Sequence, residues 1–400
     1  MEKRQLVIIG SGPAGLTAAI YGTRSGLDTL ILESGLWGGQ VNNTAEIENY
    51  PGIKTISGMD LATAMREHAE DLKAEFRNCE VESLFLDGDS KIVRTDKGDI
   101  SADAVIIATG STNRKAGFKG EDELAGRGVT YCAVCDGPMY QDASVAVIGG
   151  GNTAVEEADY LTQFASKVYI IHRREELRAN NMATERALLN PKIEMLLGWV
   201  TEEISGQDAV QGVKIRNLKS GDRKEIAVEG VFVFVGTKPN VDFLKDDAVK
   251  RSPNGWIETD EMMETSVEGV FAAGDVRDKF LRQVVTAAGD GATAAMAAYD
   301  YISNQHFLKS ALFEPERAVA LLISSIEGDH LALAREAEDW AKSGGARIVT
   351  IDGHRNLRIK EKLGVRELPA IVEIRSGRKT REAKPSSVGD IKDFCRGLGA

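Results

Sequence analysis

The sequence predicts an α/β protein in three parts: two Rossmann-like, nucleotide-binding units and a smaller α/β module at the C-terminal end. Three observations carry this. Leu6–Gly15 reads LVIIGSGPAG, Val145–Ala154 repeats the pattern as VAVIGGGNTA, and beyond Glu314 apolar stretches alternate in the order βαβαββα.

Leu6–Ile9 is a short apolar run suited to a buried strand. Gly10-x-Gly12-x-x-Gly15 follows it and opens the helical pattern Leu16–Ile20. Such glycines permit a tight turn, let the backbone approach a pyrophosphate and let helix pack on strand. The helix N-terminus then offers free N–H groups to the phosphates. Glu33 ends the next strand, Thr29–Glu33, 23 residues after Gly10, where an acid can accept ribose hydroxyls. In the second copy Gly149-x-Gly151-x-x-Ala154 opens a predicted helix over Val155–Gln163, with Ala as the accepted third residue. The residue 23 positions after Gly149 is His172, followed by Arg173, Arg174 and, one turn on, Arg178. A carboxylate there would repel a 2′-phosphate, whereas guanidinium groups pair with it bidentately. The first site therefore suits FAD or NAD and the second NADP. Two such sites suggest a flavin and a nicotinamide, between which hydride passes directly.

Composition sets the frame. Four hundred residues suit two or three domains with large cores. Hydrophobic residues at 42% and charged residues at 28% describe a soluble globular chain rather than a disordered or fibrous one. Lys and Arg number 49 against 61 Asp and Glu, a net charge of −12, which disfavours nucleic-acid binding. The charge is uneven: residues 311–400 hold 16 basic and 14 acidic side chains, so the acidity belongs to the first 310 residues. We read a boundary near Asn304–Glu314 without a Pro/Gly/Ser-rich linker. No apolar run reaches the ~18 residues of a membrane span, and with the first strand beginning at once no leader is expected. Four cysteines make no disulfide framework, so a reducing, cytoplasmic compartment is expected.

Two of those cysteines form Cys132-Ala-Val-Cys135-Asp136, 14 residues before Gly149. Such a pair is a redox dithiol or half of a zinc site. Cys79 and Cys395 stand alone and complete no zinc site, so no metal is expected. Beside two dinucleotide sites, a disulfide taking electrons from a flavin is the better reading, since thiol–disulfide exchange suits an easily opened ring. Asp136 is read equally as a proton donor or acceptor for the leaving thiolate or as a capping residue.

Further motifs follow in order: Gly38-Gly39-Gln40, Glu46-x-Glu48-Asn49-x-Pro51-Gly52, Ala108-Thr109-Gly110, Tyr131–Gly137, Gly274-Asp275 and Arg282-Gln283. With the two fingerprints and His172-Arg173-Arg174-x-x-x-Arg178, this set resembles the bacterial low-molecular-weight thioredoxin reductases over about Met1–Gln305. The resemblance implies an interrupted architecture: an FAD domain of residues 1–115 and 241–305, with an NADPH domain of residues 116–240 inserted and carrying the cysteine pair. Independently, Glu268–Asp275 reads as a buried strand ending in Gly-Asp, suited to a flavin's ribityl and phosphate end, far in sequence from the first fingerprint. Thr286–Ala298 is a small-residue helix able to pack closely.

The residues that carry over for FAD are Gly10, Gly12, Pro13, Ala14, Gly15, Glu33, Gly39, Gln40, Asn49, Ala108, Thr109, Gly110, Gly274, Asp275, Arg282 and Gln283. Those for NADPH are Gly149, Gly151, Asn152, Thr153, His172, Arg173, Arg174 and Arg178. The implied mechanism runs from NADPH to FAD, from FAD to the Cys132–Cys135 disulfide, and from that dithiol to thioredoxin or a thioredoxin-like protein. Cys132 would attack the acceptor and Cys135 would lie next to the flavin. The inserted domain would rotate between two states on hinges near Asn113–Gly117 and Lys238–Val241, and the chain would form a homodimer. Two rivals stay open: another thioredoxin-fold or peroxiredoxin-linked acceptor, and a redox sensor whose C-terminal module is the output.

The last part, residues 314–400, departs from that family. Its predicted elements are strands Ala318–Ile323 and Arg347–Ile351, helices Leu331–Lys342 and Leu357–Leu363, a hairpin turning at Ser376–Arg378, and a final helix Ile391–Leu398. This order resembles a thioredoxin fold, with Gly364–Pro369 in the place of that fold's cis-proline segment. Ser324-Ser-Ile-Glu-Gly-Asp329 stands where a CxxC would be, so dithiol chemistry is not expected of the module, and Cys395 reads as a packed thiol. Acceptor docking, a dimer contact, regulation and plain stabilisation remain open as its role.

Overall fold

A computed structural model describes residues 1–44, 47–87, 90–343 and 346–396. Glu46 and Leu398, which enter the motifs and elements above, lie outside the described residues. Among those described, no helix is long and apolar enough to cross a membrane.

The strand Glu2–Ile9 is central to the first sheet. Its parallel neighbours are Thr29–Glu33 on one side, followed by Glu75–Asn78, and Gly98–Ile107 on the other. Ser90–Thr95 and Val81–Asp87 extend the sheet antiparallel from Gly98–Ile107. Val270–Ala272, from far along the chain, also pairs parallel with Gly98–Ile107, Val270 opposite Val105. Both faces of this sheet are covered. Leu6, Ile8, Ile31 and Ile106 pack on one side, Val7, Ile9, Leu30, Leu32 and Val105 on the other. Burial on both faces explains why these strands read as unbroken apolar runs rather than alternating ones.

A second, parallel sheet has the order Ile193–Leu197, Lys167–His172, Ser144–Ile148, Gly230–Val233, Val129–Thr130. A three-stranded antiparallel sheet, Trp199–Gly206, Val210–Asn217 and Arg223–Ala227, packs beside it. The helix after the second fingerprint is Asn152–Leu161 rather than Val155–Gln163, because Gly151 is extended and the helix starts directly after it. The two crossings between the sheets lie side by side: Ser111–Asn113 pairs antiparallel with Thr237–Pro239. The expected hinge segments therefore begin in one short two-stranded ribbon.

The small-residue helix is longer than expected, Val284–Leu308. Gln283 caps it in a reciprocal box with Thr286, whose Oγ1 accepts from the Gln283 N–H at 3.2 Å. It packs on the first fingerprint's helix, Pro13–Arg24, so closely that a Cβ on Gly291 would lie 2.1 Å from the Ala14 carbonyl oxygen. At its far end it continues into a π-helical turn, Lys309–Phe313, so the Asn304–Glu314 boundary is a helical segment and not a loop. Leu308, Ala311 and Leu312 are buried in the core of the last module.

That module has a four-stranded sheet in the order Val349–Asp352, Arg317–Ile323, Ala370–Arg375, Arg378–Ala383. Only the first pair is parallel. Helices Gly328–Lys342, Leu357–Lys362 and Val388–Arg396 complete it, and the Leu368–Pro369 peptide is cis.

Candidate active site

The first glycine turn leaves room where a ligand's phosphates would need it and nowhere else. Gly10 has φ +101°, and a Cβ there would lie 2.5 Å from the Ala108 carbonyl oxygen. A Cβ on Gly15 would meet the Gly10 carbonyl oxygen at 1.9 Å, whereas at Gly12 it meets only the Gly38 carbonyl oxygen at 4.0 Å. Gly12 precedes the helix with no side-chain cap, and Pro13 opens the helix, so the first-turn N–H groups await an outside acceptor. Glu33 sits beside the turn. Its carboxylate accepts from the Ser11 N–H and Oγ at 2.9 and 2.7 Å and from the Gly35 N–H at 2.8 Å. Gly39, at φ +64°, lies against Gly12, and Gln40 follows it in the short helix Gly39–Asn43.

The Gly274-Asp275 turn joins the same place. A Cβ on Gly274 would lie 2.8 Å from the Ala14 methyl. The Gly274 N–H donates to Asp290 at 3.0 Å, and Asp290 also pairs with Arg277 and Lys279 at 2.9 and 2.7 Å. Asp275 is buried enough to raise its carboxyl above the usual range, and its Oδ1 has no partner among the described residues. A buried acceptor in need of donors, next to an open phosphate turn, fits the hydroxyls of a ribityl chain. Arg282 stacks 4.0 Å over Trp256 with its Nε buried and, among the described residues, unpartnered. Thr109 and Gly110 are committed to the chain itself: Thr109 Oγ1 donates to the Asn240 carbonyl at 2.7 Å, Asn240 Nδ2 donates to the Thr109 carbonyl at 2.9 Å, and the Asn240 N–H donates to the Gly110 carbonyl at 3.0 Å.

The second turn repeats the logic. A Cβ on Gly149 would meet the Phe234 carbonyl oxygen at 2.5 Å, while Gly151 faces open space. Asn152 Oδ1 accepts from the Asn180 N–H at 2.8 Å, and Thr153 is exposed. His172 is only 6% exposed, and its ring lies 2.4 Å from where a Gly150 Cβ would be. Burial, then the neighbouring Arg178, Arg174 and Arg173, lowers its pKa, so the ring is neutral. Arg173, Arg174 and Arg178 are exposed, and among the described residues no acidic side chain pairs with them. The Arg178 N–H donates to the Gly150 carbonyl at 2.6 Å, which ties the arginine segment to the glycine turn.

Cys132 and Cys135 are joined as a disulfide with Cα atoms 5.3 Å apart. Cys132 precedes and Cys135 lies within one turn of helix, Ala133–Asp136, whose Ala133 is buried in the core of the second unit. Cys132 itself caps that turn, its Sγ accepting from the Cys135 N–H at 3.1 Å. Asp136 therefore does not cap it. It accepts from Thr130 Oγ1 instead, and burial raises its carboxyl above the usual range, as a proton donor requires.

The disulfide sits against the first unit. Cys135 lines a cleft with Thr44, Ile47, Glu48, Asn49, Gln283 and Val284. Gln283 Nε2 stands 3.9 Å from Cys132 Sγ, and Asn49 Nδ2 donates to Gln283 Oε1 at 3.1 Å. Sequence reasoning missed Gly150, Asn240 and Asp290. Asp290 left one trace, an acid in a run of small residues, and Gly150 stood unremarked inside its motif.

Two dinucleotide turns and a disulfide seated where the second unit meets the first define a nucleotide-dependent disulfide oxidoreductase. The family model for pyridine nucleotide-disulphide oxidoreductases matches residues 4–291. The thioredoxin reductase of Bacillus subtilis is 43% identical over 307 residues, 76% of this chain and 97% of its own length. That of Peptoclostridium acidaminophilum is 46% identical over 309 residues, 74% of this chain and 96% of its own. The crystal structure of thioredoxin reductase from Streptococcus pyogenes superposes with a TM-score of 0.73 at 47% identity, covering 76% of this chain and 99% of that one. The chain belongs to the pyridine nucleotide-disulphide oxidoreductases and, within them, to the thioredoxin reductases. About a quarter of it lies outside these matches.

Proposed function

We propose that this chain reduces the disulfide of thioredoxin with electrons from NADPH, through its own Cys132–Cys135 pair. The observation that carries the reading is the seat of the disulfide, held on the second unit yet lining a cleft of the first. FAD, when bound, relays electron pairs between the nicotinamide and this disulfide. Gly10, Gly12, Gly15 and the Pro13–Arg24 helix start would hold its pyrophosphate, Glu33 its ribose, and Asp275 its ribityl hydroxyls. Gly151 and the Asn152–Leu161 helix start would hold the NADPH pyrophosphate, with Arg173, Arg174 and Arg178 on the 2′-phosphate. Cys135 faces the cleft, and Cys132 is the thiol that attacks the acceptor's disulfide once the second unit swings away on the Ser111–Asn113 and Thr237–Pro239 ribbon. Asp136 supplies the proton that Cys135 carries as its thiol once the disulfide opens. The experiment is steady NADPH oxidation by the purified, FAD-loaded protein with oxidised thioredoxin. Reduction of the flavin once, with no turnover of any protein disulfide, contradicts the reading and favours a sensor.

We assign residues 1–115 and 241–305 to the FAD domain and 116–240 to the NADPH domain, in a homodimer of the reducing cytoplasm. Residues 314–400 form a thioredoxin-like module without a dithiol. The βαβαββα order, the cis Leu368–Pro369 peptide and Ser324 at the end of the first strand support this. The buried Leu308, Ala311 and Leu312, with the 2.8 Å bond from Asn304 Nδ2 to Asn356 Oδ1, favour a module fixed on the FAD domain as an acceptor platform.

A further inference from the structure

We propose that Gln283 is a further catalytic residue, whose side-chain amide N–H holds the Cys132 sulfur as a thiolate when the disulfide opens, with Asn49 as its positioning residue. The proposal rests on the function proposed above but not on any acceptor. The amide's direction is fixed from two sides. Gln283 Oε1 accepts from Asn49 Nδ2 at 3.1 Å and also from the backbone N–H of Thr286 in the capping box. With its oxygen engaged by two donors, the amide presents Nε2 to Cys132 Sγ, 3.9 Å away. The Cys135 N–H approaches the same sulfur at 3.1 Å.

A disulfide sulfur is a weak acceptor and a thiolate a strong one, so both contacts strengthen as charge develops, with no reorganisation needed. NADPH, the reductant of the reaction, supplies two electrons and one proton as hydride. The S–S bond breaks, Cys132 keeps the bonding pair as a thiolate, Asp136 gives Cys135 the proton of its thiol, and the proton of the hydride restores Asp136. A nearby donor lowers a thiol's pKa and raises its thiolate fraction. Gln283 lies on the first unit and Cys132 on the second, so this stabilisation exists only while the two units are closed together. Opening them withdraws the Gln283 donor, so the thiolate already formed in the closed state is intrinsically more nucleophilic when it meets the acceptor.

The test uses the full-length, FAD-loaded chain carrying Cys135→Ser, which leaves Cys132 as a free thiol. Its alkylation by iodoacetamide is followed across a pH series by mass spectrometry of the Cys132 peptide. Adding Gln283→Leu should raise the midpoint by about half a unit to one unit, so that roughly three- to tenfold less thiolate forms below it. Asn49→Leu, which frees the amide without removing it, should raise the midpoint by less. A midpoint unmoved or lowered by Gln283→Leu overturns the proposal. If that variant loses FAD or its fold, an unmoved midpoint in Asn49→Leu overturns it equally. Neither result depends on thioredoxin turnover, so failure here is distinct from failure of the proposed function.

Discussion

At Gly150 a Cβ would stand 2.4 Å from the His172 imidazole, which is buried and cannot retreat to solvent. Gly150→Ala should therefore displace that ring and the segment bonded to the Gly150 carbonyl, and raise the KM for NADPH without loss of FAD. Flavin absorbance and steady-state kinetics together check this. The exposed arginines act more directly. Arg173→Ala with Arg174→Ala should weaken NADPH by about 1.5–3 kcal/mol per charge-assisted pair lost while leaving NADH nearly unchanged, as read from the ratio of kcat/KM values; equal losses would remove them from 2′-phosphate recognition. Asp136 carries a pH dependence. Burial favours its neutral form, so it stays protonated to higher pH than an exposed aspartate. Proton donation by Asp136 should thus persist at mildly acidic pH and fall as pH rises through its raised pKa. Asp136→Asn should erase that limb of the dithiol-forming step in a pH–rate profile.

The helix Val284–Leu308 links the scales. It starts at the disulfide through Gln283, crosses the first fingerprint at Gly291, and ends inside the core of the last module. Gly291→Val would drive a side chain into the Ala14 carbonyl. Overpacking of this kind costs about 1–3 kcal/mol or more, so a lowered Tm and weaker FAD retention are expected together in thermal melts. Much at this scale was legible. Gly10, Gly15, Gly149 and Gly151 stand where a turn either forbids a Cβ or leaves space for a ligand, and that requirement is local. Asn240 and Asp290 were not legible, because their partners, Thr109 and Gly274, are brought to them only by the folded topology. The helical join over residues 304–310 was hidden for a related reason. Its polar Asn304 and Gln305 resemble a loop in sequence, but their amides bond Asn356 and Glu268 of neighbouring elements.

For the whole molecule, the last module is continuous with the Val284–Leu308 helix, so a chain ending near Gln305 would cut that helix short and lose the Asn304–Asn356 bond. Truncation there should lower Tm, and, if the module docks acceptors, should raise the KM for thioredoxin while sparing a small disulfide. The acidic charge belongs to the two nucleotide units, while the near-neutral module adds a surface of different character beside them. The central claim is that electrons leave the protein only through Cys132 and Cys135. Its most direct measurement is anaerobic rapid mixing of the Cys135→Ser holoenzyme with NADPH and then with oxidised thioredoxin. The flavin should bleach at the unaltered rate while the thioredoxin disulfide stays oxidised; thioredoxin reduced at the rate of the unaltered protein would contradict the account.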